Sequence, residues 1–135
     1  MSKILLDTNI CIYVMNRRPI EVLKKFQQYS QHLAISSIVL AELRFGASHS
    51  SKPEHNHQQV NQFCQCLDIV PFDEQAAFYY GEIRTKLKYQ GQLIGDNDLL
   101  IAAHALALNA LLVTNNVKEF QRVDGLNVEN WLGLA

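Results

Sequence analysis

The chain has 135 residues, 48% hydrophobic and 19% charged, the make-up of one ordinary globular domain over residues 1–135 with its own core. A net charge of -1 provides no overall basic field for nucleic acid, and no apolar run approaches a membrane span or a signal-peptide core, so a cytoplasmic protein is expected. Three cysteines, Cys11, Cys64 and Cys66, make no even disulfide framework and fit a reducing compartment.

In chain order, Ile4, Leu5 and Leu6 predict a short strand buried on both faces, because a half-buried strand would alternate with polar residues. A helix is expected over 10–15, capped by Thr8 or Asn9, which leaves Asp7 at the carboxyl end of a central strand. Pro19 suits the entry to a second helix over 21–29 carrying Val22, Leu23 and Phe26. A strand over 32–35 follows, and Ser36 and Ser37 start another helix. The polar stretch 48–57 reads as a loop or flexible junction, a candidate mobile flap. Val60, Phe63, Cys64 and Leu67 mark a helix face, residues 68–72 a strand, and 74–89 a long amphipathic helix bearing Ala77, Phe78, Gly81 and Ile83. After a turn bracketed by Gly91 and Gly95, residues 96–109 form a helix apolar nearly all round. Residues 110–114 read as a buried strand and 127–131 as a last edge strand. Strands alternating with helices imply an α/β fold: a single domain with a central, mostly parallel sheet of four to five strands and helices on both faces.

Three acids sit where stability alone does not ask for them. In open α/β sheets ligands bind at the carboxyl edge of the strands, where Asp7 stands, although it can also serve simply as a helix cap. Glu42 has Ile38, Ala41 and Phe45 within one helical turn, so its carboxylate rises from an apolar face. An unpaired charge buried there costs several kcal/mol, by order of magnitude about 3–5. A salt bridge holding the fold is the alternative, but Arg44 lies two residues away and points to another side of the helix. Asp96 can cap the helix that follows Gly95. Asp98 then falls in its first turn on the face of Ile101, Ala102 and Ala105, where it either complements the helix dipole or meets a cation. Taken together, Asp7, Glu42 and Asp98 converge on a hard divalent ion, magnesium or manganese, since carboxylates suit these and not zinc.

Three competing readings are weaker. His55, His57, Cys64 and Cys66 mimic a zinc set, but on one helix His57 and Cys64 are seven residues apart, too far to share an ion. A phosphatase with an aspartyl nucleophile would want a second acid two residues after Asp7, where Asn9 stands. A non-catalytic binding domain would have little reason to keep three acids on apolar faces. If Asp7, Glu42, Asp96 and Asp98 line a site, nine of the 13 acids remain against 12 basic residues, so the rest of the surface can attract phosphate. The basic residues cluster as Arg17, Arg18, Lys24 and Lys25, and as Arg84, Lys86 and Lys88.

The segments LLDTN at 5–9, ISSIVLAELRFGA at 35–47, IGDNDLLIAAHAL at 94–106 and LLVTNNVKEF at 111–120, in this order, resemble a PIN-domain ribonuclease, specifically a VapC-type toxin of a bacterial toxin–antitoxin pair. The resemblance implies a PIN-like domain in which Asp7, Glu42 and Asp98 are the catalytic and metal-holding triad for Mg2+ or Mn2+. It places Asn116 where many members have a fourth acid. Thr8, Asn9, Asp96 and Thr114 become accessory residues, with Thr114 or Asn116 orienting a phosphate or water. It further implies hydrolysis of RNA to 5′-phosphate and 3′-hydroxyl ends, with initiator tRNA cut in the anticodon loop and translation inhibited. The expected partners are a second copy of the chain and a VapB-type antitoxin, whose basic side chain enters the acidic site while its tail lies on helices around 20–26 and 39–45.

Overall fold

The structure, a computed structural model, describes residues 3–132. Five strands run β1 (Ile4–Leu6), β2 (Leu33–Ser36), β3 (Asp68–Val70), β4 (Leu111–Val113) and β5 (Val128–Glu129). The helices are α1 (Thr8–Met15), α2 (Ile20–Gln28), α3 (Ser37–Ser48), α4 (Pro53–Cys64), α5 (Glu74–Tyr89), α6 (Asp96–Leu108) and α7 (Val117–Phe120). The sheet order is β3-β2-β1-β4-β5 and every pairing is parallel, with Ile4 opposite Leu33 on one side and Leu111 on the other. The chain therefore steps outward from β1 to β3, returns, and continues from β4 on the opposite side. That reversal makes the carboxyl end of β1 a topological switch point, and Asp7 is the first residue beyond it.

The central strands owe their place to their composition. Ile4, Leu5, Leu6, Ala34, Ile35, Leu112 and Val113 are all buried, as a parallel sheet covered by helices requires. The edges are shorter than the sequence implies. β3 stops at Val70 because Pro71 has no N–H for the ladder, and β5 pairs over two residues only. Helix α6 explains its nearly uniform apolarity by being buried over Leu99 and 101–105. Among the described residues no helix is long and apolar enough to cross a membrane.

Several local expectations are corrected. The first helix begins at Thr8, and its cap is Asp7 itself, not Thr8 or Asn9. The stretch 48–57 is a helix junction with a short linker at 49–52: α3 runs through Ser48, and Pro53 opens α4 at a position where a missing N–H costs nothing. Arg44 pins the two helices by donating to the carbonyl of His57, at 3.2 Å, and to Asn61 Oδ1, while His57 Nε2 lies 2.9 Å from Ser48 Oγ. Helix α5 buries Ala76, Ile83 and Leu87, whereas Ala77, Phe78 and Gly81 face outward. The one-turn helix α7 went unread in the sequence. Asp96 is the first residue of α6, not its cap; Gly95 holds that position.

Candidate active site

Asp7 is fixed from three directions at the mouth of the sheet and is only 4% exposed. Its Oδ1 accepts from the backbone N–H of Thr8 at 2.8 Å. Its Oδ2 accepts from Thr114 Oγ1 at 2.7 Å and, more distantly, from Asn9 Nδ2 at 3.4 Å. Thr114 itself follows β4 and accepts from the N–H of Asn116 at 2.9 Å, so two neighbouring strand ends clamp one carboxylate. Burial pushes the Asp7 carboxyl up while these hydrogen bonds hold it down, and the charge of Glu42 pushes it up further.

Glu42 arrives from the second turn of α3. Its Oε1 accepts from Thr8 Oγ1 at 2.8 Å, which ties the helix after β2 to the start of α1. No salt bridge to Glu42 exists among the described residues, and Arg44 is occupied by α4. The fold-holding ion pair is therefore not what keeps this acid.

Asp98, in the first turn of α6, is half-buried, and its pKa is raised to about 7. Burial is the largest cause, followed by the charges of Asp7, Glu119 and Glu42. These named neighbours define a cluster of four acids: Asp7, Glu42, Asp98 and Glu119. Glu119 was not foreseen. It sits on α7, three residues beyond Asn116 and just before the buried Phe120, and the signal was its place in the LLVTNNVKEF segment. Asn116 makes its contact through the backbone, while Asn115 bridges to Asn9 Oδ1 and to the Tyr13 hydroxyl. Glu119 is thus a further acid beside Asp98, whereas the Asn116 side chain makes no hydrogen bond there among the described residues.

Asp96 is exposed and is not among the charges that raise Asp98. Changing Asp96 to Asn should cost only the helix-dipole contribution of one charge, roughly 0.3–1 kcal/mol in a denaturant titration, with the activity of the site within a few-fold of wild type. A loss equal to that of an Asp98 variant would place Asp96 inside the site.

The donor set fits a hard cation. Every group is a carboxylate oxygen, and the mutual repulsion that raises Asp98 is what a divalent ion relieves. Among the described residues, no three His, Cys, Asp or Glu side chains already stand close enough to enclose an ion. The zinc alternative loses one of its two imidazoles, since both ring nitrogens of His57 are engaged, Nδ1 with Arg44 and Nε2 with Ser48.

With this geometry in place, comparison with known proteins is specific. The PIN domain profile matches residues 4–126. The chain belongs to the PIN domain family. Within it, this sequence is 50% identical over 129 residues to Ribonuclease VapC2 of Rickettsia felis, covering 94% of this chain and 96% of that one. It is 40% identical over 131 residues to the tRNA(fMet)-specific endonuclease VapC of Shigella flexneri, with 97% and 99% covered. Among solved structures, DNA-bound VapBC from Salmonella typhimurium superposes with a TM-score of 0.92 at 39% identity, over 97% of this chain and 99% of that chain. VapBC2 of Rickettsia felis bound to a promoter DNA fragment gives 0.89 at 49%, over 94% and 97%. The chain is thus a PIN domain of the VapC type.

Proposed function

We propose that this PIN domain is the toxin of a VapBC pair, a Mg2+- or Mn2+-dependent endoribonuclease that hydrolyses RNA, with initiator tRNA in its anticodon loop as the substrate and translation as the process inhibited. The observation that carries this reading is the gathering of Asp7, Glu42, Asp98 and Glu119 at the sheet's switch point, where burial first and the neighbouring charges second raise Asp98 to about 7. The name of the Shigella flexneri relative supports the substrate, and the VapBC complexes support the antitoxin.

Asp7 and Asp98 would anchor the cation in this reading, with Glu42 and Glu119 beside them. When bound, the ion supplies Lewis-acid stabilisation of charge that grows on the phosphate oxygens. The chain's own contribution is positioning. Thr114 and the Thr8 N–H hold the Asp7 carboxylate in one orientation, and the Thr8 hydroxyl holds Glu42. Glu42, half-buried and with Oε2 uncommitted to Thr8, is placed to take a proton from the attacking water. Arg17, Arg18, Lys24 and Lys88 enter no ion pair among the described residues and are available to the RNA backbone, whereas Lys25 and Lys86 pair with Glu129 and Asp124.

The antitoxin reading rests on two grooves of mixed lining with apolar patches. One of about 470 Å³ lies between α1, α2 and α4 and is lined by Val14, Leu23, Phe26 and Phe63. The other, about 270 Å³, runs along Ile12, Leu43 and Ala47 to Glu42. A tail in such grooves can deliver an arginine to the acids, whose planar fork bridges carboxylates and stays charged. Expressing the chain alone should arrest growth, and co-expressing its genomic neighbour should relieve the arrest. Unimpaired growth with the folded chain accumulating would contradict the toxin reading.

A further inference from the structure

Inside the core lies a titratable ring that the chemistry of the acids does not use. His104, on α6, is 1% exposed, and its Nδ1 lies 2.8 Å from Oγ of the fully buried Ser36. Burial lowers its pKa, against the charge of Asp73, so the ring is neutral at pH 7. Ser36 ends β2 and caps α3, its Oγ accepting from the Ile38 N–H at 3.0 Å. Donation of the Ser36 O–H to Nδ1 uses that hydroxyl fully, whereas the other tautomer strands its hydrogen. The Nε2–H then has no partner among the described residues. Phe72 packs edge-on against the ring, with 5.4 Å between centroids and 72° between planes. A leucine would fill this space without an unpaired nitrogen, so stability alone does not explain a histidine here.

Ser36 precedes Glu42 by six residues, and Asp98 precedes His104 by six, about 9 Å along a helix axis in each case. The bond therefore ties together the two helices that carry these acids, and among the described residues no other side-chain hydrogen bond does so. The other buried residues of α3 and α6 are all apolar, and Ala102, Ala103 and Ala105 flank His104. Apolar contacts resist separation but are non-directional, and small side chains interlock weakly against sliding. A hydrogen bond tolerates only a few tenths of an ångström, whereas one residue of slip along a helix is about 1.5 Å. We infer that His104 is a positioning residue: its bond to Ser36 fixes how far α6 sits along α3, and so the separation of Asp98 and Glu42 about the cation. The inference rests on the metal-dependent reading above and adds to it what sets the spacing of the acids. A misplacement of about 1 Å at a reacting centre is worth about 100-fold, which makes so remote a bond consequential.

The test separates positioning from stability. Metal-free protein, parent and variant, is titrated with Mn2+ alone, free ion being counted by electron paramagnetic resonance, and stability is followed by thermal unfolding in chelator. His104→Leu should unfold at or above the parent temperature yet bind Mn2+ about 10-fold or more weakly. His104→Asn should do the reverse, with a lower unfolding temperature and parent-like Mn2+ affinity. Its Oδ1 stands where Nδ1 stood and accepts from Ser36, while the rest of the ring leaves a void. A residue that only filled the core would show affinity following stability instead. Ser36→Ala removes the bond from its other end and should also weaken Mn2+ binding; added to it, His104→Leu should cause no further loss. Parent-like Mn2+ binding by His104→Leu, or by Ser36→Ala should the Leu variant not fold, would overturn the inference and leave the ribonuclease reading intact. Equal losses in the Leu and Asn variants would overturn it as well, because the bond would then not be the agent. A parent protein that binds no Mn2+ would remove the metal site and the inference together.

Discussion

Asp7→Asn should lower RNA cleavage about 100-fold or more while making the metal-free protein more stable. The fold tolerates the change because asparagine caps helices as well as aspartate does, and its Oδ1 can still accept from the Thr8 N–H. The amide nitrogen would face Thr114 Oγ1, which has a lone pair free besides the one facing Asn116 and can turn its hydroxyl away. What is lost is a negative charge in a crowded cluster. The stabilisation has a pH signature. Asp98 has a folded-state pKa of about 7, above the ordinary 3.8, so the folded chain binds its proton more tightly than the unfolded one. The resulting stability is fully present below about pH 4 and is lost as pH rises through about 7. In chelator, thermal unfolding of the wild type should therefore shift to lower temperature between pH 5 and 8, and Mg2+ should reverse the shift at the upper end. Burial is the largest cause of the raised value and Asp7 the second, so Asp7→Asn should shrink the pH slope without abolishing it. A variant with the wild-type slope and wild-type cleavage would show that Asp7 does not share a site with Asp98.

Glu119→Gln is the second large expected effect, a loss of about 10- to 100-fold in cleavage or in Mg2+ affinity. Glu119 raises the pKa of Asp98 by its charge, so it acts on an acid that would hold the metal. Asn116→Ala should cost much less, because Asn116 contacts Thr114 through its backbone N–H, which alanine retains. Cleavage that depends on Asn116 and ignores Glu119 would reverse this assignment. The two variants can be compared by Mg2+ titration of initial rates at constant ionic strength, which keeps the screening of the cluster fixed.

The parts of this site that were legible in the sequence are those that violate a pattern. Asp7 stood out because it interrupts a run of strand-forming aliphatics, Glu42 because its helix neighbours are apolar, and Asp98 because one acid is enough at the start of a helix. Glu119 violates nothing. It lies in a polar stretch between Asn115 and Phe120, and only the packing of the one-turn helix α7 brings it to Asp98. Helix α5 shows the converse error. Ala77, Phe78 and Gly81 read as an apolar stripe, but α6 takes the side marked by Ala76, Ile83 and Leu87, a choice made by tertiary contact rather than by hydrophobicity. The polar residues of 48–57 read as a flap because their partners, Arg44 and Ser48, lie on the preceding helix and composition carries no trace of that link. The cap of α1 was displaced by a similar economy: Asp7 serves as both cap and site acid, two roles that sequence reasoning treated as alternatives.

The central claim, that four converging carboxylates make a metal-dependent ribonuclease, is tested most directly on purified chain and 5′-labelled initiator tRNA. With Mg2+ or Mn2+ the account predicts cleavage in the anticodon loop leaving 5′-phosphate and 3′-hydroxyl ends, and with excess EDTA it predicts none. Cleavage undiminished by EDTA, or products ending in a 2′,3′-cyclic phosphate, would contradict it, because either result would require a nucleophile and a proton path that these acids do not supply.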